Sequence, residues 1–332
     1  KGVMITHGNA EAMSSTMAAH FALTADDHCM LILPLFHVNA IMVSALASLR
    51  VGGRLSVVGA FSPARFFDDV ERLRPTYFSA VPTIYALLTS LPEDVQPDTS
   101  SLRFVVCGAA PVSRELLEAS RTRYGFTILE GYGLTEGTCA SACNPLDGLQ
   151  KLGTVGPALP GQKIAIAGPT GEHLPAGQTG EVVISGPTVM AGYLNNPEAT
   201  AETIRDGWLH TGDVGRLDDD GYLSIVDRVK DLIIRGGENL YPKEIEATLT
   251  QVEDVLEAAV VGTPDPVLGE VPVARVVLYP GSSVTTDELL QHCRTHLMRV
   301  KVPVDITIVD ALPKNPVGKI DKPALRRSLQ TA

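Results

Sequence analysis

The sequence predicts an α/β protein: a parallel α/β sheet body, an antiparallel β subdomain, and a small α+β domain at the C-terminus. Three observations predict it. Short β-rich runs alternate with helical patterns up to Glu130, as a parallel sheet with crossover helices requires. From Lys151 to Asp227 the texture becomes short strands punctuated by Gly and Pro. Beyond Arg228 a mixed segment is followed by helices and strands in alternation, which reads as a compact α+β unit. The 332 residues suit two domains on length alone, and 45% apolar residues suffice to fill their cores.

In the body, strands are expected over residues 29–33, 54–58, 76–80, 103–107 and 127–130, and helices over 38–49, 63–73 and 113–124. Ser62 before Pro63 predicts a capped helix start, and Ser113 can cap another. The opening residues read as a loop. Strands over 163–167, 181–185 and 222–226, with a turn at Asp220-Gly221, make the antiparallel subdomain. The last part offers a helix from Pro242, strands over 256–261 and 273–278, a helix over 287–297 and a strand over 306–309. The expected division is therefore 1–229 (1–150 α/β, 151–229 β-rich) and 230–332. No internal repeat or low-complexity tract is present.

Charge and cysteine usage exclude several classes. Twenty-seven basic against 38 acidic residues give a net charge of −11, which repels nucleic acid and anionic membrane surfaces but leaves a single nucleotide possible. The five cysteines show no zinc-site spacing and fit reduced thiols in a cytoplasmic protein. The most apolar stretch, 29–49, is broken by Pro34, His37, Asn39 and Ser44 and falls short of a membrane span.

The strand over 127–130 runs into Gly131-Tyr132-Gly133-Leu134-Thr135-Glu136-Gly137, at the strand end where α/β sheets present ligands. The glycines allow close backbone approach. Tyr132 offers an aromatic face, Thr135 a hydroxyl for phosphate, and Glu136 a hard oxygen for Mg²⁺. Taken alone, the heptapeptide could equally be a Gly-rich connection. A dinucleotide fingerprint is rejected because Glu136 stands where its third glycine belongs. A P-loop is rejected too, since Gly318-Lys319 precedes Ile320 and lacks the upstream Gly. Asp218-Asp219-Asp220-Gly221 lacks the twelfth-position Glu of an EF-hand and reads as a solvated hairpin turn.

A series of blocks resembles the adenylate-forming (AMP-binding) enzymes, in their acyl-CoA synthetase branch. In family order these are Lys1-Gly2-Val3 with Thr6-His7-Gly8-Asn9, Leu33-Pro34-Leu35-Phe36-His37, Gly108-Ala109-Ala110-Pro111 and the Gly131–Glu136 turn. Then come Gly180-Glu181, Gly192-Tyr193, Trp208-Leu209-His210-Thr211-Gly212-Asp213, Asp227-Arg228-Val229-Lys230-Asp231, Gly236-Gly237-Glu238-Asn239 and 313–321 with Gly318-Lys319.

The resemblance implies that ATP, Mg²⁺ and coenzyme A act on a small carboxylic acid. It makes Tyr132 the stacking partner of adenine, with Gly108, Ala109, Ala110, Pro111, Gly131 and Gly133 as neighbouring nucleotide contacts. Thr135 would meet the α-phosphate, Glu136 would bind Mg²⁺, and Asp213 with Arg228 would hold the ribose. Lys319 becomes the adenylation lysine, Lys230 the hinge of a mobile C-terminal domain, and Gly236-Gly237 the loop brought to a pantetheine tunnel. His37 becomes an acyl-pocket gate. By residue type alone, Asp213 could be a turn residue, Lys230 and Lys319 surface lysines, and His37 a partly buried structural His.

The 36–39 stretch lacks the Asp with which amino-acid-activating relatives hold an α-ammonium. An aliphatic or aromatic acid is therefore expected, with Val38, Ala109, Leu134, Thr138 and Cys139 lining its pocket. In the family a Ser/Thr/Gly-rich phosphate loop would precede Lys1. The chain is thus expected to be the C-terminal part of a larger protein, inactive by itself. The alternatives are an enzyme loading a carrier-protein phosphopantetheine and a non-catalytic nucleotide-binding protein.

Overall fold

The computed structural model describes residues 1–108, 112–314 and 320–330. They fall into two compact units: Lys1–Thr211 with Gly215–Ile225, and Gly212–Val214 with Val226–Ala332.

Unit 1 begins with β1 (Val3–Met4) and α1 (His7–His20), followed by β2 (His28–Leu31). Lys1 and Gly2 precede β1 and belong to no element, as expected, but β1 and α1 behind them were not anticipated. Thr6 accepts from the Asn9 amide and Asn9 reciprocates on the Thr6 N–H, a closed capping box. Next come a π-helix (Ala40–Leu46) continuing as α2 (Ala47–Arg50), then β3 (Arg54–Val57), α3 (Pro63–Leu73), β4 (Tyr77–Ala80) and α4 (Pro82–Thr89). After these follow β5 (Phe104–Cys107), α5 (Arg114–Tyr124), β6 (Ile128–Tyr132) and β7 (Ala142–Cys143). The ordinary helix expected over 38–49 is therefore π-wound in its first part, and α4 was not anticipated. Ser113 accepts from the Leu116 N–H at 3.1 Å as expected, whereas the Ser62 side chain makes no cap hydrogen bond, and Pro63 alone starts α3.

The six strands lie in the order β3-β2-β4-β5-β6-β7, parallel as far as β6, with β7 antiparallel. β2, β4 and β5 are buried on both faces, which explains their unbroken apolar runs. One face carries Phe66, Phe67, Phe78, Tyr85 and Phe126; the other carries Met13, Met17, Phe21, Tyr77 and Phe104.

The rest of unit 1 contains β8 (Lys163–Ala167), β9 (Thr179–Ser185), β10 (Gly192–Tyr193), α6 (Pro197–Thr203), β11 (Ile204–Arg205), β12 (Trp208–Leu217) and β13 (Leu223–Arg228). The sheet order is β11-β12-β9-β8 with β13 on β12, while β10 pairs with β1. Segments Gly212–Val214 of β12 and Val226–Arg228 of β13 cluster with unit 2. The 218–221 turn is more than solvated: Lys151 Nζ donates to Asp218 and Asp220 at 2.6 Å each.

Unit 2 continues with β14 (Ile233–Arg235), β15 (Glu238–Leu240), α7 (Pro242–Leu249), β16 (Val255–Asp265), β17 (Gly269–Leu278), α8 (Thr286–His296), β18 (Asp305–Ile308) and α9 (Lys322–Gln330). Strand order is β15-β14-β17-β16, with β18 parallel to β17. Ile245, Leu249, Leu289 and Cys293 of α7 and α8 cover one face of the sheet, and Leu325 of α9 packs on the other. All five cysteines are buried free thiols, and burial pushes the pKa of each upward. Among the described residues no helix is long and apolar enough to cross a membrane.

Candidate active site

The Gly131–Glu136 turn leaves the sheet at the C-terminal end of β6, next to the end of β5. A Cβ on Gly108 would lie 3.5 Å from the Gly131 carbonyl, so these two positions adjoin. Gly133 is obligatory, because a Cβ there would fall 1.7 Å from the Cys139 carbonyl oxygen. That close approach rests on a tight return. Thr138 and Cys139 both take positive φ (57° and 108°), a strained backbone for residues with side chains. Ser141 N then donates to the Tyr132 carbonyl at 2.8 Å, closing the loop.

Thr135 and Glu136 form a single 3₁₀ turn (Thr135–Gly137). Thr135 is exposed and Glu136 half-buried. The Tyr193 hydroxyl donates to Glu136 Oε1 at 2.7 Å, and Met190 N donates to the Glu136 carbonyl at 2.8 Å. The Lys1 ammonium lies 4.4 Å from the Tyr193 ring centroid. Asn9 Nδ2 donates to the Pro187 and Val189 carbonyls at 2.7 and 2.9 Å, and the Thr138 hydroxyl donates to the Thr188 carbonyl at 2.6 Å. Segment 187–193 is thereby laced to α1 and to the turn.

One carboxylate oxygen of Glu136 is fixed and the other has no hydrogen-bond partner among the described residues. No group of three or more potential metal ligands occurs among them. A lone, oriented carboxylate fits Mg²⁺, which usually takes one or two protein oxygens and completes its shell with phosphates and water.

His37 is exposed, not partly buried. Its backbone N–H donates to the Pro34 carbonyl at 3.0 Å, and its ring lies 4.5 Å from that of Phe36, which is 76% exposed.

Unit 2 holds the remaining described candidates. Arg228 Nε pairs with Asp213 Oδ1 at 3.3 Å across adjacent strands, so the two expected ribose contacts meet. Arg228 does not pair with its neighbour Asp227. The buried Asp227 carboxylate instead accepts from the N–H groups of Arg228 (2.7 Å) and of Lys243 at the start of α7 (2.8 Å). Lys230 is exposed within a 3₁₀ turn (Val229–Asp231), and Arg326 of α9 pairs with Asp231 at 3.0 Å. Gly236 and Gly237, with φ of 59° and 86°, form the two-residue hairpin turn between β14 and β15. Ala109, Ala110, Pro111 and Lys319 lie outside the described residues.

Two site residues escaped the sequence reading. Tyr193 was noted within a block but given no role. Glu130, directly before the turn and 7% exposed, makes no salt bridge among the described residues, and burial pushes its carboxyl up to about 7. The signal for it was an acid at a buried position of an apolar strand.

Residues 1–194 match the family model of AMP-binding enzymes, and 244–319 match that of the AMP-binding enzyme C-terminal domain. The chain belongs to the AMP-binding enzyme family. It falls within the acyl-CoA synthetase branch: it is 42% identical over 330 residues to a feruloyl-CoA synthase from an Amycolatopsis species, covering 98% of the chain and 67% of that protein. Two solved structures resemble it throughout. ATP-bound MatB from Rhodopseudomonas palustris superposes with a TM-score of 0.94 at 35% identity, covering 99% of this chain and 65% of that one. The o-succinylbenzoate CoA synthetase of Bacillus subtilis, with its acyl-adenylate, gives 0.90 at 34%, covering 100% and 66%. The chain thus spans about two thirds of the length of these relatives.

Proposed function

We propose that the whole protein is an AMP-forming acyl-CoA synthetase for a carboxylic acid without an α-ammonium. The acid's carboxylate attacks the α-phosphate of ATP, expelling pyrophosphate and forming acyl-adenylate. The CoA thiolate then attacks the acyl carbonyl, a C–S bond replaces the C–O bond, and AMP leaves.

The observation that carries this reading is the Glu136 carboxylate, presented on a strained turn at the end of the parallel sheet and held by Tyr193. In this proposal Tyr132 stacks on adenine, Thr135 donates to the α-phosphate, and Glu136 holds Mg²⁺, which when bound neutralises phosphate charge. Asp213, steadied by Arg228, accepts the ribose hydroxyls. Lys319 sets an ammonium beside the reacting oxygens as the pentavalent transition state gains charge. His37 gates the acyl entrance. The small domain, 230–332, turns at Lys230 after adenylation and brings Gly236-Gly237 to the pantetheine arm.

The test is mass spectrometry of the products formed by the full-length protein from MgATP, CoA and a panel of aliphatic, aromatic and dicarboxylic acids. Acyl-CoA with AMP is expected. Acyl-adenylate without thioester would point to a carrier-protein acceptor, and no adenylate from any acid would refute the ligase reading. Lys319→Ala should lower adenylate formation by about 10²–10³ while leaving thioester formation from preformed acyl-adenylate largely intact.

A further inference from the structure

Helix α8 of unit 2 carries two histidines that the chemistry above does not use. His292 and His296 stand four residues apart, so they share one side of the helix. Thr285 and Glu288 close a capping box at its start, and the buried Leu289 and Cys293 lock an adjacent stripe of it onto the sheet. The helix is thus held in one rotation, with the histidine stripe at the rim beside α7. His292 there is half-buried and His296 exposed.

The partners of the two rings fix where their protons sit. His292 Nε2 lies 3.1 Å from the Thr248 carbonyl in α7, and His296 Nδ1 lies 2.9 Å from the His292 carbonyl. A carbonyl only accepts, so both of these nitrogens carry hydrogen. In the neutral rings the lone pairs therefore belong to His292 Nδ1 and His296 Nε2, neither of which has a hydrogen-bond partner among the described residues. The ring centroids are 4.1 Å apart, with the planes tilted by 31°. Metal-bound histidines follow this pattern, one nitrogen donating to a carbonyl while the other binds the ion.

We propose that His292 Nδ1 and His296 Nε2 form a two-point chelate for a divalent transition-metal ion of the Zn²⁺, Ni²⁺ and Cu²⁺ class, with water in its other positions. Two histidines four apart on a helix face are a recurrent zinc-binding pair. Imidazole suits these ions, whereas Mg²⁺ and Ca²⁺ take oxygen ligands. Metal–nitrogen bonds of about 2.0–2.1 Å let one ion bridge nitrogens roughly 3–3.5 Å apart, which rings this close reach by a small turn. No third potential ligand joins the pair among the described residues. The site is therefore open and exchangeable, unlike a closed structural zinc centre. It belongs to unit 2, whereas Glu136 belongs to unit 1, and it does not depend on the ligase reading.

The test is calorimetric titration of the full-length protein, free of any histidine tag, with ZnCl₂ in excess MgCl₂, which occupies oxygen sites. The expected result is a Zn²⁺ ion that Mg²⁺ does not displace, its affinity weakened about tenfold or more in His296→Gln and in His292→Gln. Glutamine at 292 can still donate to the Thr248 carbonyl, so the loss reads ligation rather than packing. One equivalent of Cu²⁺ on the wild type gives a second reading that needs no variant: pulsed EPR should show two coupled imidazoles. Zn²⁺ held equally by the wild type and both variants overturns the proposal. A wild type that binds no Zn²⁺ overturns it too, as does a Cu²⁺ spectrum with one imidazole or none.

Discussion

Glu130 and Tyr193 show how single side chains tune this site. The Glu130 carboxyl is protonated in the native state at pH values where an unfolded chain has already released its proton, because burial lifts it from 4.5 to about 7. The native state therefore binds the extra proton between those values, and its stability falls as pH rises through that window. Glu130→Gln has no such penalty. Its stability relative to wild type should grow from pH 5 to pH 8 by up to about 3 kcal/mol, read from urea midpoints at each pH. Tyr193 acts on Glu136 through one hydrogen bond. Removing a partner that orients a metal ligand weakens metal binding by about 10–100-fold. In the full-length protein, Tyr193→Phe should raise the Mg²⁺ concentration for half-maximal pyrophosphate exchange about tenfold, with little change in melting temperature.

Elements differ in how openly the sequence announces them. The inner strands were readable because burial on both faces demands unbroken apolar runs. α5 was readable from Ser113, which caps it as expected. α1 was not, because its buried face includes Asn9 and Ser14 beside Met13 and Met17, so no apolar stripe emerges. α4 is two turns of largely apolar residues straight after β4, a run that periodicity cannot separate from strand. Site residues followed the same rule. The Gly131–Glu136 turn stood out locally, whereas the Tyr193–Glu136 contact joins positions 57 apart in sequence, which one chain does not reveal. The turn itself is a tight element with a sharp expectation. Gly133→Ala drives a methyl onto the Cys139 carbonyl. It should cost about 2–4 kcal/mol of stability in denaturant melts and abolish binding of a fluorescent ATP analogue.

The whole molecule is two units, each with its own apolar core. Lys230 sits between Asp227 and Asp231, each anchored within unit 2, by the Lys243 N–H and by Arg326 respectively. If Lys230 is the pivot, Lys230→Pro, which fixes φ, spares adenylation and slows thioester formation, as rapid-quench measurement of each half-reaction would show. Unchanged turnover would remove the pivot from Lys230. The buried thiols divide unevenly between the units: Cys29, Cys107, Cys139 and Cys143 belong to unit 1, and Cys293 alone to unit 2. Sealed and kept protonated, none reacts until its surroundings open. A maleimide chase followed by peptide mapping would thus time the breathing of each unit separately, one adduct for the smaller and up to four for the larger, with no probe engineered into either.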